Sequence, residues 1–520
     1  MRKSILGIIV LSIFCILLTG VEAADNSYIY LAYQTEPYID LDPSVEYSNG
    51  IIVLPNVYET LTRYNNETEK VEPLLATEWT TTEDGLTWEF TLRDNVTFHD
   101  GSKLTGEAVK KSIERTKTMG MGASYNWDPV QSIEAPADNK VVFHLSHAAP
   151  IDLIASSGYA AYIISPKVID KVGTDSSWFN EGHDGGCGPY MIKKVTPGEE
   201  VVLVAYDKYY GGWSNDQYKN VLIKKVTESS TRRQLVESGE AQITGDLSVT
   251  DMTGIKDNPD VTTFEQSSWK NVIGFFNTQV APLNNADFRR AMAYAFPYDE
   301  TVKSIKEGHA VQSHGLIPAG LWGHDDSLFQ YSLDMDKAKE YLAKSGVDTS
   351  KGITLEMTFT SGIEAFRSFA QIYKANLAQL GINLEINEMN WDSVWEKSKS
   401  TNPEDRQDIL VMYWWPDYAN PISWFDSLIH SEDQVSFNLA YIKDPEIDTE
   451  IEQADELVAT DRDKASKTLI DVQKKVIDQA YLIHIFDENT INEVYKTIGN
   501  FKMNPAYETV TFFYDLRKAK

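Results

Sequence analysis

The segment with the most chemistry in its arrangement is Tyr413-Trp414-Trp415-Pro416-Asp417-Tyr418-Ala419-Asn420-Pro421. Its adjacent tryptophans offer flat apolar walls, and Asp417 sets one fixed negative charge beside them. Paired tryptophans suit the stacking of a sugar as well as the burial of a side chain, so they do not name a ligand by themselves. The competing reading makes Trp414 and Trp415 core aromatics and leaves Asp417 to cap a turn.

Signs of reaction chemistry are otherwise sparse. There is no Gly-x-Ser-x-Gly elbow, no His-Glu-x-x-His and no phosphate-cradling Gly-x-x-x-x-Gly-Lys. His144 and His147 are an odd number of residues apart, which on a strand sends them to opposite faces. His309 and His314 read as loop histidines. Cys187, His183 and Asp184 have donor types for a soft metal, but one cysteine and one histidine fall short of a four-ligand set. No cofactor or metal site is expected, and no nucleophile–base pair supports a secreted hydrolase.

These residues need a scaffold, and the patterning predicts a mixed α/β one. Thr87–Leu92 and Val141–Leu145 alternate as half-buried strands do, and between them Thr105 caps a helix reaching Lys117. Val201 to Tyr206 is continuously apolar, which predicts a strand buried on both faces. Phe288, Ala291, Met292, Ala295 and Phe296 line one face of a helix closed by Pro297. A second helix starts near Asp334–Asp336 and stops at Gly346. A third carries the stripe Phe366, Phe369, Ala370, Tyr373, Leu377 and Leu380, stops at Gly381, and leads into the strand Ile382, Leu384, Ile386. Helix-then-strand order at this spacing predicts parallel sheets covered by helices.

The whole chain has 520 residues, enough for two or three packed units. Its 77 acidic residues against 47 basic ones give a formal charge of −30, which argues against nucleic acid and anionic lipid as partners. Arg2 and Lys3, the apolar run Ile5–Leu18 and the small residues at Val21 and Ala23 have the order of a secretory signal peptide over residues 1–23. Cys15 lacks the small residues that precede a lipidated cysteine, so no direct lipid anchor is expected. Cleavage after Ala23 removes two basic residues and one acidic one, leaving a mature charge of −31 and Cys187 as the sole thiol. Such a chain has no disulfide inside it, and its stability must come from packing.

Longer signatures add to this. Val57-Tyr58-Glu59-Thr60-Leu61-Thr62-Arg63-Tyr64, Pro73 to Trp79, Glu83 to Arg93 and Val96 to Thr105 follow one another. Gly186-Cys187-Gly188-Pro189-Tyr190, the aromatic run Tyr206 to Trp213, Leu235 to Glu240, and Phe276-Asn277-Thr278 leading to Phe288-Arg289-Arg290-Ala291 come after them in order. Together these strongly resemble the family 5 extracellular solute-binding proteins, the oligopeptide, dipeptide and nickel binders of ABC importers. The resemblance spans nearly the whole mature chain.

The resemblance implies a two-lobed, periplasmic-binding-protein-like type II clamp with an additional α/β subdomain and a discontinuous first lobe. Carried onto this sequence, 24–55, 159–274 and 482–520 form the first lobe, 56–158 the subdomain and 275–481 the second lobe. Crossings are implied near Lys270–Phe276 and Tyr481–Phe486. In the peptide-binding branch an aspartate in a similar Trp-x-x-Asp-Tyr setting holds the ligand's α-ammonium. Asp417 matches that position, with Trp414, Trp415 and Tyr418 as its surroundings. An ammonium on a carboxylate inside a closed cleft makes a charge-assisted hydrogen bond shielded from water. The resemblance also makes Arg367 a carboxylate anchor, with surface arginine as the alternative, and Glu36 part of a ligand-lining loop. Cys187 stands where relatives carry a small polar residue, which makes it a candidate to face the cleft. The implied function is that of an exported, monomeric receptor, not an enzyme. It delivers a di- or oligopeptide to the permease of an ABC importer outside the cytoplasm. A metal-chelate or oligosaccharide receptor of the same fold is the alternative.

Overall fold

The computed structural model describes residues 28–519, so the signal segment expected over residues 1–23, with Cys15, lies outside the described residues. Among the described residues, no helix is long and apolar enough to cross a membrane.

Eleven strands make one mixed sheet that runs through the molecule. From one edge come Ile382–Met389, Ile353–Thr360, Ile409–Trp414, Val261–Phe276 and Leu482–Tyr495. Ile243–Gly245, Tyr28–Tyr33, Asn220–Lys225, Glu200–Ala205 and Tyr190–Thr196 continue it, and the short Ala310–Val311 pairs beside Leu482–Tyr495. The expectation of parallel sheets holds only around two strands. Tyr28–Tyr33 and Ile353–Thr360 each run parallel to both neighbours, and the other pairings are antiparallel. One cause is local: Tyr190–Thr196 and Glu200–Ala205 are joined by a tight turn at Pro197-Gly198, and a hairpin can only return antiparallel. The strand at Val201 is corrected too. Val201, Leu203 and Ala205 are buried, while Val202 and Val204 on the other face are only half-buried.

The predicted helices form close to where the patterning puts them. Gly106–Met119 starts on Thr105, whose hydroxyl accepts the Ala108 N–H, and ends on Gly120 at a φ of +61°. Met335–Ser345 starts on Asp334, which accepts two N–H groups, and ends on the left-handed Gly346. Ala286–Tyr294 and Glu364–Ala378 bury Phe288, Met292, Phe366, Phe369, Tyr373 and Leu377 against the strands Ile353–Thr360 and Ile382–Met389. Each such large apolar side chain contributes about 1.5–3 kcal/mol by leaving water.

A separate four-stranded sheet, Ala76–Thr81, Thr87–Leu92, Lys140–Leu145 and Val130–Ala137, packs with the helix Gly106–Met119 around Trp88, Phe90, Trp127 and Phe143. This subdomain is fastened to the first segment by Arg115, which grips both oxygens of Asp42 at 2.7 and 2.6 Å with both side chains buried.

The long strands Val261–Phe276 and Leu482–Tyr495 pair antiparallel from Val261↔Tyr495 to Phe275↔Leu482. They contain the two segments expected to cross between lobes, apart from Tyr481. Their register breaks in the middle: Ser267 faces Asn489 and Asn271 faces Asp487, so Ser268, Trp269 and Lys270 oppose Glu488 alone. This is a β-bulge, which re-aims side chains at the cost of ladder bonds. Ser268 repairs part of that loss. Its hydroxyl donates to the Glu488 carbonyl at 2.7 Å and accepts the Lys270 N–H at 3.1 Å. Trp269 is fully buried, edge-on to Tyr64 with ring centroids 5.4 Å apart.

Candidate ligand site

The bulge delivers Lys270 and Glu488 to the wall of a cleft of about 880 Å³. One side of the cleft is the loop after Ile243–Gly245, from Asp246 to Ser248, with the start of the helix Val249–Ile255 and Tyr33. Facing parts come from Ser304 to His309, from the first turn of Glu364–Ala378, and from Tyr413 at the end of its strand. Glu508 and Thr509 belong to a third segment near the carboxy terminus.

Charge is packed densely here. Lys270 Nζ lies 2.7 Å from one oxygen of Glu488 and 3.5 Å from Glu508, and Lys306 Nζ lies 2.6 Å from the other oxygen of Glu488. Burial pushes Glu488 up, but Lys270 and Lys306 together hold it below the usual glutamate value. Burial likewise opposes the charge on Lys270, yet Glu508 and Glu488 keep it protonated far above the ordinary lysine value. Its ammonium also stands 5.1 Å from the centre of the Tyr413 ring. Glu508, half-buried, and Asp246, exposed at the cleft surface, fare differently: desolvation raises both, and Lys270, joined at Asp246 by Arg232 and Lys306, only partly offsets it.

A second feature lies at Asp417. Tyr47 donates its hydroxyl to one carboxylate oxygen at 2.7 Å, Tyr125 donates to the other, and the two hydroxyls are 3.1 Å apart. The backbone is fixed as well, since Ser157 Oγ donates to the Asp417 carbonyl at 2.9 Å. Burial raises the pKa of Asp417 above the aspartate norm, and the two tyrosine hydroxyls hold it back only in part. Among the described residues, no cation is paired with it. Tyr47 packs edge-on to Tyr159, and none of Asp417, Tyr47, Tyr125 and Tyr159 is among the residues that line the cleft, which Tyr413 reaches from the same segment.

The other residues singled out by the sequence divide. Trp414 is half-buried, packs edge-on to Phe437 and donates its Nε1–H to Ser423 Oγ at 3.3 Å. Trp415 is half exposed, and Tyr418 touches the cores of both the main body and the subdomain. Arg367 forms a two-pronged pair with Glu388, both contacts at 2.6 Å, while its helix neighbours Glu364, Ala365 and Ser368 line the cleft. Glu36 is paired with Lys225 at 2.5 Å, and it is Tyr33, three residues earlier, that reaches the cleft.

Cys187 requires a correction. It does not face the cleft but is 1% exposed inside the subdomain core, where burial pushes its thiol well above the usual range. The neighbouring glycines explain this: a Cβ at Gly186 would collide with the Val57 carbonyl, and one at Gly188 with the same peptide group. The turn is therefore pressed onto backbone, and its central side chain has only the core to enter. The metal-type trio does not assemble either, because Asp184 is paired with His99 and His183 stacks on Trp178. Among the described residues, no group of three or more His, Cys, Asp and Glu is arranged to hold a metal ion.

Sequence reasoning missed Asp246, Lys270, Lys306, Glu488, Glu508, Tyr47 and Tyr125. Lys270 alone carried a signal, as the one cation in a segment expected to cross between lobes.

Comparison with known proteins agrees with this architecture. Residues 70–436 match the family described as "Bacterial extracellular solute-binding proteins, family 5 Middle". The chain belongs to this family. It is 31% identical over 483 residues to the probable D,D-dipeptide-binding periplasmic protein DdpA of Escherichia coli K12, covering 90% of each chain. The structure of HbpA2 from Haemophilus parasuis superposes with a TM-score of 0.84 at 20% identity, over 95% of this chain and 100% of that one. The periplasmic binding protein DppA of Helicobacter pylori, in complex with the peptide STSA, gives 0.76 at 20% identity over 95% and 98%. The fold is thus the two-lobed type II clamp, and the family and its relatives are binding proteins found outside the cytoplasm.

Proposed function

We propose that the chain is the receptor of an ABC importer and captures di- or oligopeptides between its lobes for delivery to a membrane permease. The observation that carries this reading is Asp417, a carboxylate in the segment of the cleft-lining Tyr413 that is held by two neutral hydroxyls and, among the described residues, is paired with no cation. A carboxylate so placed is fixed in direction and left with its charge, which is what an ammonium requires. Trp414 and Trp415 supply apolar surface next to it. The peptide-bound Helicobacter relative and the dipeptide-binding name of the Escherichia relative support the ligand class.

The lobe boundaries fit the same reading: residues 24–55, 159–274 and 482–520 in one lobe, 56–158 in the subdomain and 275–481 in the other. The bulge at Ser268–Lys270 lies where the two crossing strands have lost their ladder, a natural place for bending. The receptor works as a single chain, exported by its signal segment and without a lipid anchor.

The test is incubation of the purified protein with a mixed peptide pool, followed by mass spectrometry of free and retained species. Intact retained peptides with free amino termini are expected. Shortened products, or equal retention of N-terminally acetylated peptides, would overturn the proposal.

A further inference from the structure

We infer that the cleft holds a second cation subsite, formed by Asp246 and Glu508 and separate from Asp417, so that the preferred ligands carry a basic side chain. This rests on the reading of the cleft as the ligand site.

The charges lining the cleft are unequal. Five carboxylates, Asp246, Glu307, Glu364, Glu488 and Glu508, face two lysines, Lys270 and Lys306. Both lysines make their closest contacts to one acid, each touching a different oxygen of Glu488 at 2.7 and 2.6 Å. Glu508 is left with the longer 3.5 Å contact to Lys270. Asp246 accepts from the neutral Gln34 amide at 3.3 Å, and the charges of Lys270, Arg232 and Lys306 fall short of offsetting its burial. The two under-compensated acids line the same cleft and feel each other's charge.

The occupant must be an organic molecule and not a bare ion. The cleft encloses about 880 Å³, the scale of a small organic ligand or short peptide, and no metal-holding group occurs among the described residues. A neutral or acidic ligand closing over Asp246 and Glu508 would take both from water without a counter-charge, which is unfavourable. An ammonium or guanidinium on a flexible side chain supplies that counter-charge. Lys306 and Lys270 then stand as a barrier to acidic side chains, so the cleft discriminates by repulsion as well as attraction.

The experiment compares Ala-Lys-Ala with the same peptide acetylated at the lysine Nε, by calorimetry on the full-length mature protein. The lysine peptide is expected to bind roughly tenfold to a hundredfold tighter, the worth of one charge-assisted bond. In D246N/E508Q the two affinities are expected to converge. Thermal stabilisation by 1,5-diaminopentane, which contains no peptide, provides a second readout and should be lost in the same variant. Peptides that bind without regard to the lysine charge overturn this inference and leave the peptide reading standing. Diamine binding without peptide binding does the reverse, and binding of neither overturns both. The wild-type comparison stands even where the double variant does not fold.

Discussion

Glu488 and Asp417 are both partly buried carboxylates, and they are held in opposite ways. Glu488 lies between two lysine ammoniums and is kept well ionised. Asp417 lies between two tyrosine hydroxyls and is pushed toward protonation by burial. The difference separates structure from recognition. A carboxylate neutralised from within the chain fixes geometry, because any competing cation must first displace a lysine. A carboxylate held by neutral donors keeps its orientation and still has charge to offer.

The largest expected effect is at Asp417. D417A should weaken binding of N-terminally free peptides by about 2–5 kcal/mol, measured by calorimetry, the range for removing one side of a desolvated charge pair. E488Q should do much less to peptide affinity; an equal loss would dissolve the contrast. Affinity should also fall on acidification as Asp417 takes up a proton, with full binding above its raised pKa and loss as pH drops through it.

Next is the structural side. K270M leaves Glu508 without its nearest cation and Glu488 with Lys306 alone, and should cost about 1–3 kcal/mol in urea unfolding, tempered by partial exposure of the pair.

A third carboxylate sharpens the comparison, because Glu493 is fully buried with neither oxygen partnered. Burial pushes it up to about 7 from an ordinary 4.5. A raised acid holds its proton more tightly when folded, so its contribution is full below the ordinary value and is lost as pH rises through the raised one. E493Q should therefore gain about 1–3 kcal/mol at slightly alkaline pH and little in acid, seen as a pH-dependent difference in melting temperature.

Y125F should have the smallest energetic effect, about 0.5–1.5 kcal/mol on peptide affinity. It should also move the pH midpoint of binding upward, since that hydroxyl favours the charged form of Asp417. Cys187 offers a control: it should resist thiol reagents in the native protein and react only on unfolding.

Much of this fold was legible in the sequence where local pattern and packing agree. Thr105, Asp334 and Gly346 mark helix ends by capping chemistry, and the Phe366–Leu377 stripe marks a buried face by period alone. Strand direction was not legible, because it depends on which distant strands meet. The site was legible only as far as its unusual composition reached. Trp414 and Asp417 stand out in a single segment, but Tyr47 and Tyr125 reach Asp417 from 370 and 292 residues away. Glu488 and Lys306 look like ordinary surface charges until the bulge and the folded chain bring them to Lys270. Cys187 misled because its neighbours' need for glycine could not be seen before Val57 was packed against them.

The pairing of Phe275 with Leu482, and the hydrogen bond from the Phe276 N–H to the Tyr481 carbonyl at 3.4 Å, have a modular consequence. The stretch between those two points starts and ends side by side, so it has the form of a cassette inserted into a host, although its own strands extend the same sheet. A cassette whose ends already touch can be cut out and its host strands rejoined by a short turn. The same property lets a gene exchange everything between Phe276 and Tyr481 in a single contiguous segment.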